Sequence, residues 1–415
     1  MKSALLIARD KLHTDVRTTW NILSLKKLGF QVDAISAISS SEEMENNAQI
    51  YSECNFLQPS KSLPLGLLEF IKKGFIFRAL ILCFLCLLSL LLQVFTKNFS
   101  PIVTIKLYIR VLGRLLKERK TYDLILSQEI DGGIIGLSAH KIFGGRLILD
   151  LHETYFSRLD HKSGLSFLFK KSLLKMLFKN TDLQMVVSKG HAEFYKNKGF
   201  KLNAIVVPNI PFIVQPIKPL ETKSKIIVIS QGSHRILHGI RYVNTDTLLK
   251  VWKIAKPQNA TLWLMHINEK GETPKEFLAQ KEELLKSNII VKSPVKREHV
   301  ATELVKCNVG FIGYEKNMLE EGITKLSSPN KIGEYLNAGL VLLANDAIDF
   351  AIQIIEEFDC GFIYKNEEEL ASILSEISSN PSILLQKRTN IEKALQKHNY
   401  FNYFKEISSL IQPPA

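Results

Sequence analysis

Ser327-Ser328-Pro329-Asn330-Lys331-Ile332-Gly333-Glu334-Tyr335-Leu336-Asn337-Ala338-Gly339, running directly into Leu340-Val341-Leu342-Leu343-Ala344, is the stretch on which the rest of the chain is organised. Ser328 suits an N-cap, Pro329 the first helical position and Gly339 a left-handed stop, so the stretch predicts a helix of about ten residues. The apolar run behind it reads as a buried strand. A helix amino end carries unpaired N–H groups and a positive dipole, which suit a phosphate. Lys331 adds a charge there, and Glu334 can offer its carboxylate to a pair of neighbouring hydroxyls.

A phosphate beside a diol is what a nucleotide sugar presents. The pattern Ser-Pro-Asn-Lys-x-x-Glu-Tyr-x-x-x-Gly before an apolar strand resembles the donor-binding motif of family 4 glycosyltransferases, of the bacterial surface-polysaccharide type. The resemblance implies an α/β protein of GT-B fold: two doubly wound Rossmann-like domains facing a cleft, here with a hydrophobic, basic helical insertion in the first. It implies that Glu334 holds the ribose hydroxyls and that Ser328, Pro329, Asn330 and Lys331 lie against the diphosphate. Many members carry a further Glu eight residues before the one matching Glu334. Here that position is Leu326, and Glu320 and Glu321 stand nearby as substitutes.

The chain has 415 residues, 46% hydrophobic and 23% charged, enough for two or three domains with their own cores. That composition excludes disordered and fibrous classes. The net charge of +13 favours anionic partners. Between residues 61 and 120, eleven Lys and Arg face two acids, Glu69 and Glu118, around the most apolar run of the chain. Basic residues flanking apolar ones point to an anionic membrane surface and away from nucleic acid. Residues 79–95 (ALILCFLCLLSLLLQVF) hold 17 positions without a charge, just under the ~20 needed to span a bilayer. The strands on either side must share one sheet, so a single crossing is disfavoured; an in-plane or re-entrant insertion on the cytoplasmic leaflet is expected over a buried helix. Five cysteines, without a disulfide framework, suggest a reducing compartment. Met1 starts too short an apolar run for a signal peptide.

In order, residues 4–8 read as a first strand, 15–28 as a helix and 31–36 as a second strand, the opening of a doubly wound sheet. Asp15-Val16-Arg17 is similar to the Asp-Pro-Arg-Val of many family members, which makes Asp15 and Arg17 candidates for the acceptor side. Strands follow at 122–127 and 146–151. Gln128 to Gly133 begins a turn and helix, with Asp131 as a further candidate. Asp150-Leu151-His152-Glu153 closes a strand at its carboxyl end, where ligands bind in such sheets. It matches the Asp-x-His-Glu of many members, so the resemblance implies that His152 faces the donor sugar as the catalytic-site residue, with Asp150 and Glu153 beside it. Residues 162–179 form a basic amphipathic stretch, either a second membrane-surface helix or a domain helix with a lysine face. A strand at 182–187, a helix capped by Ser188 and a strand at 205–207 complete the first domain.

The expected organisation is an acceptor-binding domain at 1–210, a Pro-rich linker at 211–224, a donor-binding domain at 225–385 and a helix at 386–415 returning to the first domain. The second domain opens with the strand 225–230, then Gln231-Gly232 and a helix expected to begin at His238-Gly239-Ile240-Arg241. In relatives such a Gly-bearing turn meets the diphosphate, so Gly232, Arg235, His238 and Arg241 join the donor candidates. Further strands read at 262–266, 289–291, 309–313 and 361–364. The implied reaction is retaining transfer of a sugar from a UDP- or GDP-sugar to a hydroxyl of a lipid-linked or membrane-associated glycan acceptor. The sequence carries neither an Asp-x-Asp nor a His/Cys cluster with zinc spacing, so neither metal nor cofactor is expected. A degenerate membrane-associated binding subunit and a sugar-nucleotide epimerase are the alternative classes.

Overall fold

The computed structural model describes residues 2–8, 15–36, 54–58, 69, 72, 101–118, 120–152, 164–212, 217, 225–232, 236–237, 240–241, 244–266, 281–295, 299–314 and 323–411. The chain divides into two compact units, one comprising Met1–Val186, Ala192–Val207 and Phe404–Ala415, the other Val187–His191 and Pro208–Tyr403.

The first unit is built on a seven-stranded sheet of β1 (Lys2–Ala8), β2 (Phe30–Ser36), β3 (Asn55–Phe56), β4 (Leu124–Gln128), β5 (Arg146–Leu151), β6 (Leu183–Val186) and β7 (Ala204–Val206). Their order is β3-β2-β1-β4-β5-β6-β7, and every pairing is parallel. A parallel sheet needs both faces covered, which explains why Leu5, Leu6 and Ile7 of β1 and Leu124, Ile125 and Leu126 of β4 are all buried without alternation. Helices Val16–Lys27, Pro101–Glu118, Glu129–Phe143, Gly164–Asn180 and Lys189–Asn197 lie between the strands in sequence. The strand order reverses between β1 and β4, and ligands bind outside the carboxyl ends at such a reversal.

The second unit repeats the plan. Strands β8 (Ile226–Gly232), β11 (Ala260–His266), β12 (Ile289–Val291), β13 (Val309–Ile312), β14 (Val341–Asn345) and β15 (Gly361–Tyr364) form a parallel sheet in the order β12-β11-β8-β13-β14-β15. Its reversal falls between β8 and β13. A small antiparallel pair, β9 (Ile236–Leu237) and β10 (Ile240–Arg241), follows β8.

Three local expectations are corrected. The helix expected to open at His238 begins instead at Thr245, because Ile240 and Arg241 pair with Leu237 and Ile236, and Asn244 caps the helix by accepting the Thr247 N–H. The helix of the central stretch is Asn330–Asn337, eight residues, with Pro329 rather than Ser328 at its N-cap. Ser328 is withdrawn from capping because its hydroxyl accepts a hydrogen bond from Asn209. The tail is not one helix: Ile383–Lys397 ends at His398, and Asn399 accepts the Asn402 N–H to start Tyr400–Phe404 afresh. Among the described residues no helix is long and apolar enough to cross a membrane; residues 79–95 lie outside them.

Candidate functional site

In the second unit the residues of the central stretch converge on the carboxyl ends of β8, β13 and β14. The turn before helix Asn330–Asn337 is pinned at two points. Ser188 donates its hydroxyl to the Leu326 carbonyl at 2.6 Å while accepting the His191 N–H, and Asn209 donates its backbone N–H to Ser328 Oγ and its amide nitrogen to the Ser328 carbonyl. Gly333 permits the close approach behind this: a Cβ there would stand 2.5 Å from Pro211 Cδ and 2.9 Å from Ile210 Cα. At the far end Gly339 takes φ +74, the left-handed stop expected of it.

The amino end of the helix is thereby fixed, and its first turn presents Lys331. The ammonium is buried, makes no hydrogen bond among the described residues, and lies 4.6 Å from the centroid of the Tyr314 ring. Burial pulls its pKa down to about 7, against a smaller upward pull from the Glu334 carboxylate. Asn330 Oδ1 and Gln231 Oε1 are likewise buried without a hydrogen-bond partner among the described residues. A buried ammonium and two buried carbonyl oxygens without partners are costly unless a ligand completes them. Glu334, one turn along, accepts the Gln231 side-chain amide, and Tyr335 Oη accepts the Gln231 backbone N–H at 3.0 Å. Asn345, at the end of β14, holds the Tyr314 backbone through its side chain on both sides. Gly232 ends β8 at φ +138. Of the other predicted donor residues, Arg235 and His238 lie outside the described residues, and Arg241 is placed only as part of β10.

The first unit has a second cluster at the ends of β1, β4 and β5. Asp15 is the N-cap of helix Val16–Lys27, accepting the Arg17 N–H, and its carboxylate also meets the Thr18 hydroxyl and the Gln128 side chain. Arg17 and Asp150 form a fully buried bidentate pair, with Nη2 to Oδ1 at 2.6 Å and Nε to Oδ2 at 2.9 Å. Asn21 donates to the same carboxylate and Arg17 Nη1 to the Val207 carbonyl. Burial alone would raise the Asp150 carboxyl, but the Arg17 guanidinium holds it below the usual range. These two residues are therefore engaged with each other. Asp131 sits half-buried in the first turn of Glu129–Phe143, and Glu153 lies outside the described residues.

His152 stands just beyond β5. Its Nε2 lies 2.7 Å from Glu129 Oε1, and its backbone N–H donates to the same oxygen at 3.0 Å. Burial would lower the imidazole, yet the Glu129, Asp150 and Asp15 carboxylates push it up to about 9. Glu129, Gln231, Tyr314 and Gly333 were not singled out from the sequence. The signal for the first two was position alone, each being a polar residue at the carboxyl end of a strand beside the sheet reversal.

No protein-family model matches the chain, and no curated protein matches it. Solved structures do, over nearly the whole length. TarM is similar with a TM-score of 0.68 and 8% identity, covering 100% of this chain and 99% of its own. A sucrose-phosphate synthase from Thermosynechococcus elongatus is similar with a TM-score of 0.64 and 12% identity, covering 99% and 98%. Anabaena HepE in complex with UDP is similar with a TM-score of 0.62 and 14% identity, covering 99% of both chains. With its two parallel Rossmann-like sheets, the chain has the GT-B fold.

Proposed function

We propose that this chain is a retaining glycosyltransferase of the family 4 type. It moves a hexosyl group from a UDP- or GDP-sugar to a hydroxyl of a lipid-linked or membrane-associated glycan, on the cytoplasmic face of a membrane, in surface polysaccharide assembly. The observation that carries the reading is Lys331: a buried ammonium without a hydrogen-bond partner among the described residues, at a fixed helix amino end, beside a sheet reversal. A diphosphate is the ligand that completes such a site, and Glu334 is spaced to receive the ribose hydroxyls. HepE, which shares the fold, has been solved with UDP and with UDP-glucose.

In the transfer, the acceptor oxygen bonds to the anomeric carbon while the bond from that carbon to the diphosphate breaks, and the acceptor proton leaves with the phosphate. Negative charge grows on the departing diphosphate, so Lys331 and the helix N–H groups stabilise the transition state more than the ground state. In this reading the second unit holds the donor through Gly232, Ser328, Pro329 and Asn330, and His152 is the catalytic residue that the first unit supplies. No metal is required. The acidic contact that many relatives make eight residues before Glu334 is absent at Leu326, whose carbonyl is instead bound by Ser188.

The test is binding and turnover of UDP-, GDP- and ADP-sugars by the purified chain, with and without EDTA, beside Glu334→Ala. One preferred donor, lost in Glu334→Ala and turned over in EDTA, is expected. A folded protein that binds no nucleotide sugar overturns the reading in favour of a degenerate binding subunit.

A further inference from the structure

Glu129 is the first residue of helix Glu129–Phe143 and sits at φ +59, in the left-handed region that a β-carbon makes unfavourable. A non-glycine residue is strained there and persists where the surroundings demand its side chain. What the conformation achieves is visible. It turns a nearly fully buried carboxylate back across the strand ends, so that one oxygen, Oε1, receives both the backbone N–H and the ring Nε2 of His152. The ring is thus fixed in position and in rotation. Among the described residues the ring is held through Nε2 and not through Nδ1.

We propose that Glu129 is the positioning residue of His152: it fixes the imidazole through Nε2 and makes the Nδ1–H edge a standing hydrogen-bond donor rather than a general base. This rests on the reading that the first unit's strand ends take substrate. Among the described residues, the charged groups around the ring are Glu129 on its helix, Asp150 on β5, itself paired with Arg17, and Asp15 ahead of Val16–Lys27. With these neighbours the imidazolium persists through neutral pH, its value pushed up to about 9. A ring that already carries both protons has no lone pair with which to take one from an acceptor hydroxyl. It can only donate, to a sugar hydroxyl or a phosphate oxygen.

The experiment is a pH titration of the ring by NMR on the full chain carrying labelled histidine, with the His152 signal assigned by His152→Gln. Wild-type protein is expected to titrate near pH 9. Glu129→Gln keeps the hydrogen-bond geometry without the charge and is expected to drop the midpoint to or below the ordinary 6.5. Glu129→Gly relieves the backbone strain while removing the carboxylate, so it is expected to stay folded and to lose the raised midpoint. A wild-type midpoint near 6.5, or a Glu129→Gln ring that still titrates near 9, overturns the proposal. The titration needs no donor or turnover, so it stands or falls separately from the transferase reading. Where turnover is measured, Glu129→Gln is expected to lower kcat at least about tenfold above pH 7 with little change in donor KM. Equal losses at all pH values overturn the donor role.

Discussion

The Lys331 ammonium lies 4.6 Å from the centroid of the Tyr314 ring and has no hydrogen-bond partner among the described residues. An aromatic face offsets part of the cost of burying a cation but does not replace a carboxylate or phosphate. The folded chain therefore holds this lysine near 7, against an ordinary value of 10.5. Between those pH values the unfolded chain binds a proton that the native one does not, so native stability rises with pH from about 7 to 10.5. Lys331→Met removes the penalty. It is expected to be more stable than wild type at pH 6, by a few kcal/mol at most, and to lose this pH dependence; urea unfolding at pH 6, 8 and 10 checks both.

Donor binding has the opposite sign. A diphosphate needs the ammonium, so it takes up a proton wherever the free site is deprotonated, and affinity is expected to fall as pH rises above about 7. Calorimetry of nucleotide binding in two buffers of different ionisation enthalpy measures that uptake directly. Lys331→Met is expected to show none, with binding weakened roughly a hundredfold by loss of a charge-assisted contact.

Gly333 is tied to packing. A Cβ there meets the Pro211 ring and the Ile210 backbone at 2.5 and 2.9 Å, and neither is the end of a flexible side chain. Gly333→Ala is expected to destabilise the protein by about 1–3 kcal/mol and to displace the helix amino end that carries Lys331. The measurement is a thermal unfolding midpoint together with nucleotide affinity, and both are expected to fall.

How far these features were legible in the sequence depends on the range of the interaction. The strands β1, β4, β8 and β14 and the stop at Gly339 announce themselves locally, as apolar runs and as a glycine where φ must be positive. Ser328 shows the limit. By local chemistry it is a helix cap, but Asn209, 119 residues away, takes its hydroxyl and carbonyl, and the cap passes to Pro329. Glu129 and Gln231 were invisible for the same reason. Their partners, His152 and Glu334, lie 23 and 103 positions further on, and only the sheet order brings the strand ends together.

The basic block at residues 61–120 carries a prediction that depends on charge. The full chain is expected to sediment with vesicles containing phosphatidylglycerol at low salt and to be released as salt rises. Replacing Lys72, Lys73 and Arg78 by Gln is expected to weaken that association roughly tenfold or more. Indifference to anionic vesicles removes the membrane element of the proposal and leaves the donor site untouched.

Arg17 and Asp150 give the sharpest test of what is scaffold and what is site. The pair is bidentate and almost wholly removed from solvent, so deleting one partner leaves the other charged and buried. Arg17→Met or Asp150→Leu alone is expected to cost about 3–5 kcal/mol, whereas the double replacement is expected to recover most of that, because two apolar groups leave no stranded charge. The pH dependence follows from the same pair. Arg17 holds the Asp150 carboxyl below its ordinary 3.8, so the stabilisation is complete above that pH and is lost as pH falls through the lower native value. Urea unfolding of the four proteins in the cycle, at pH 7 and pH 3, measures both effects. Additive losses in the double variant, or recovery of stability without a shallower acid transition, contradict the pairing.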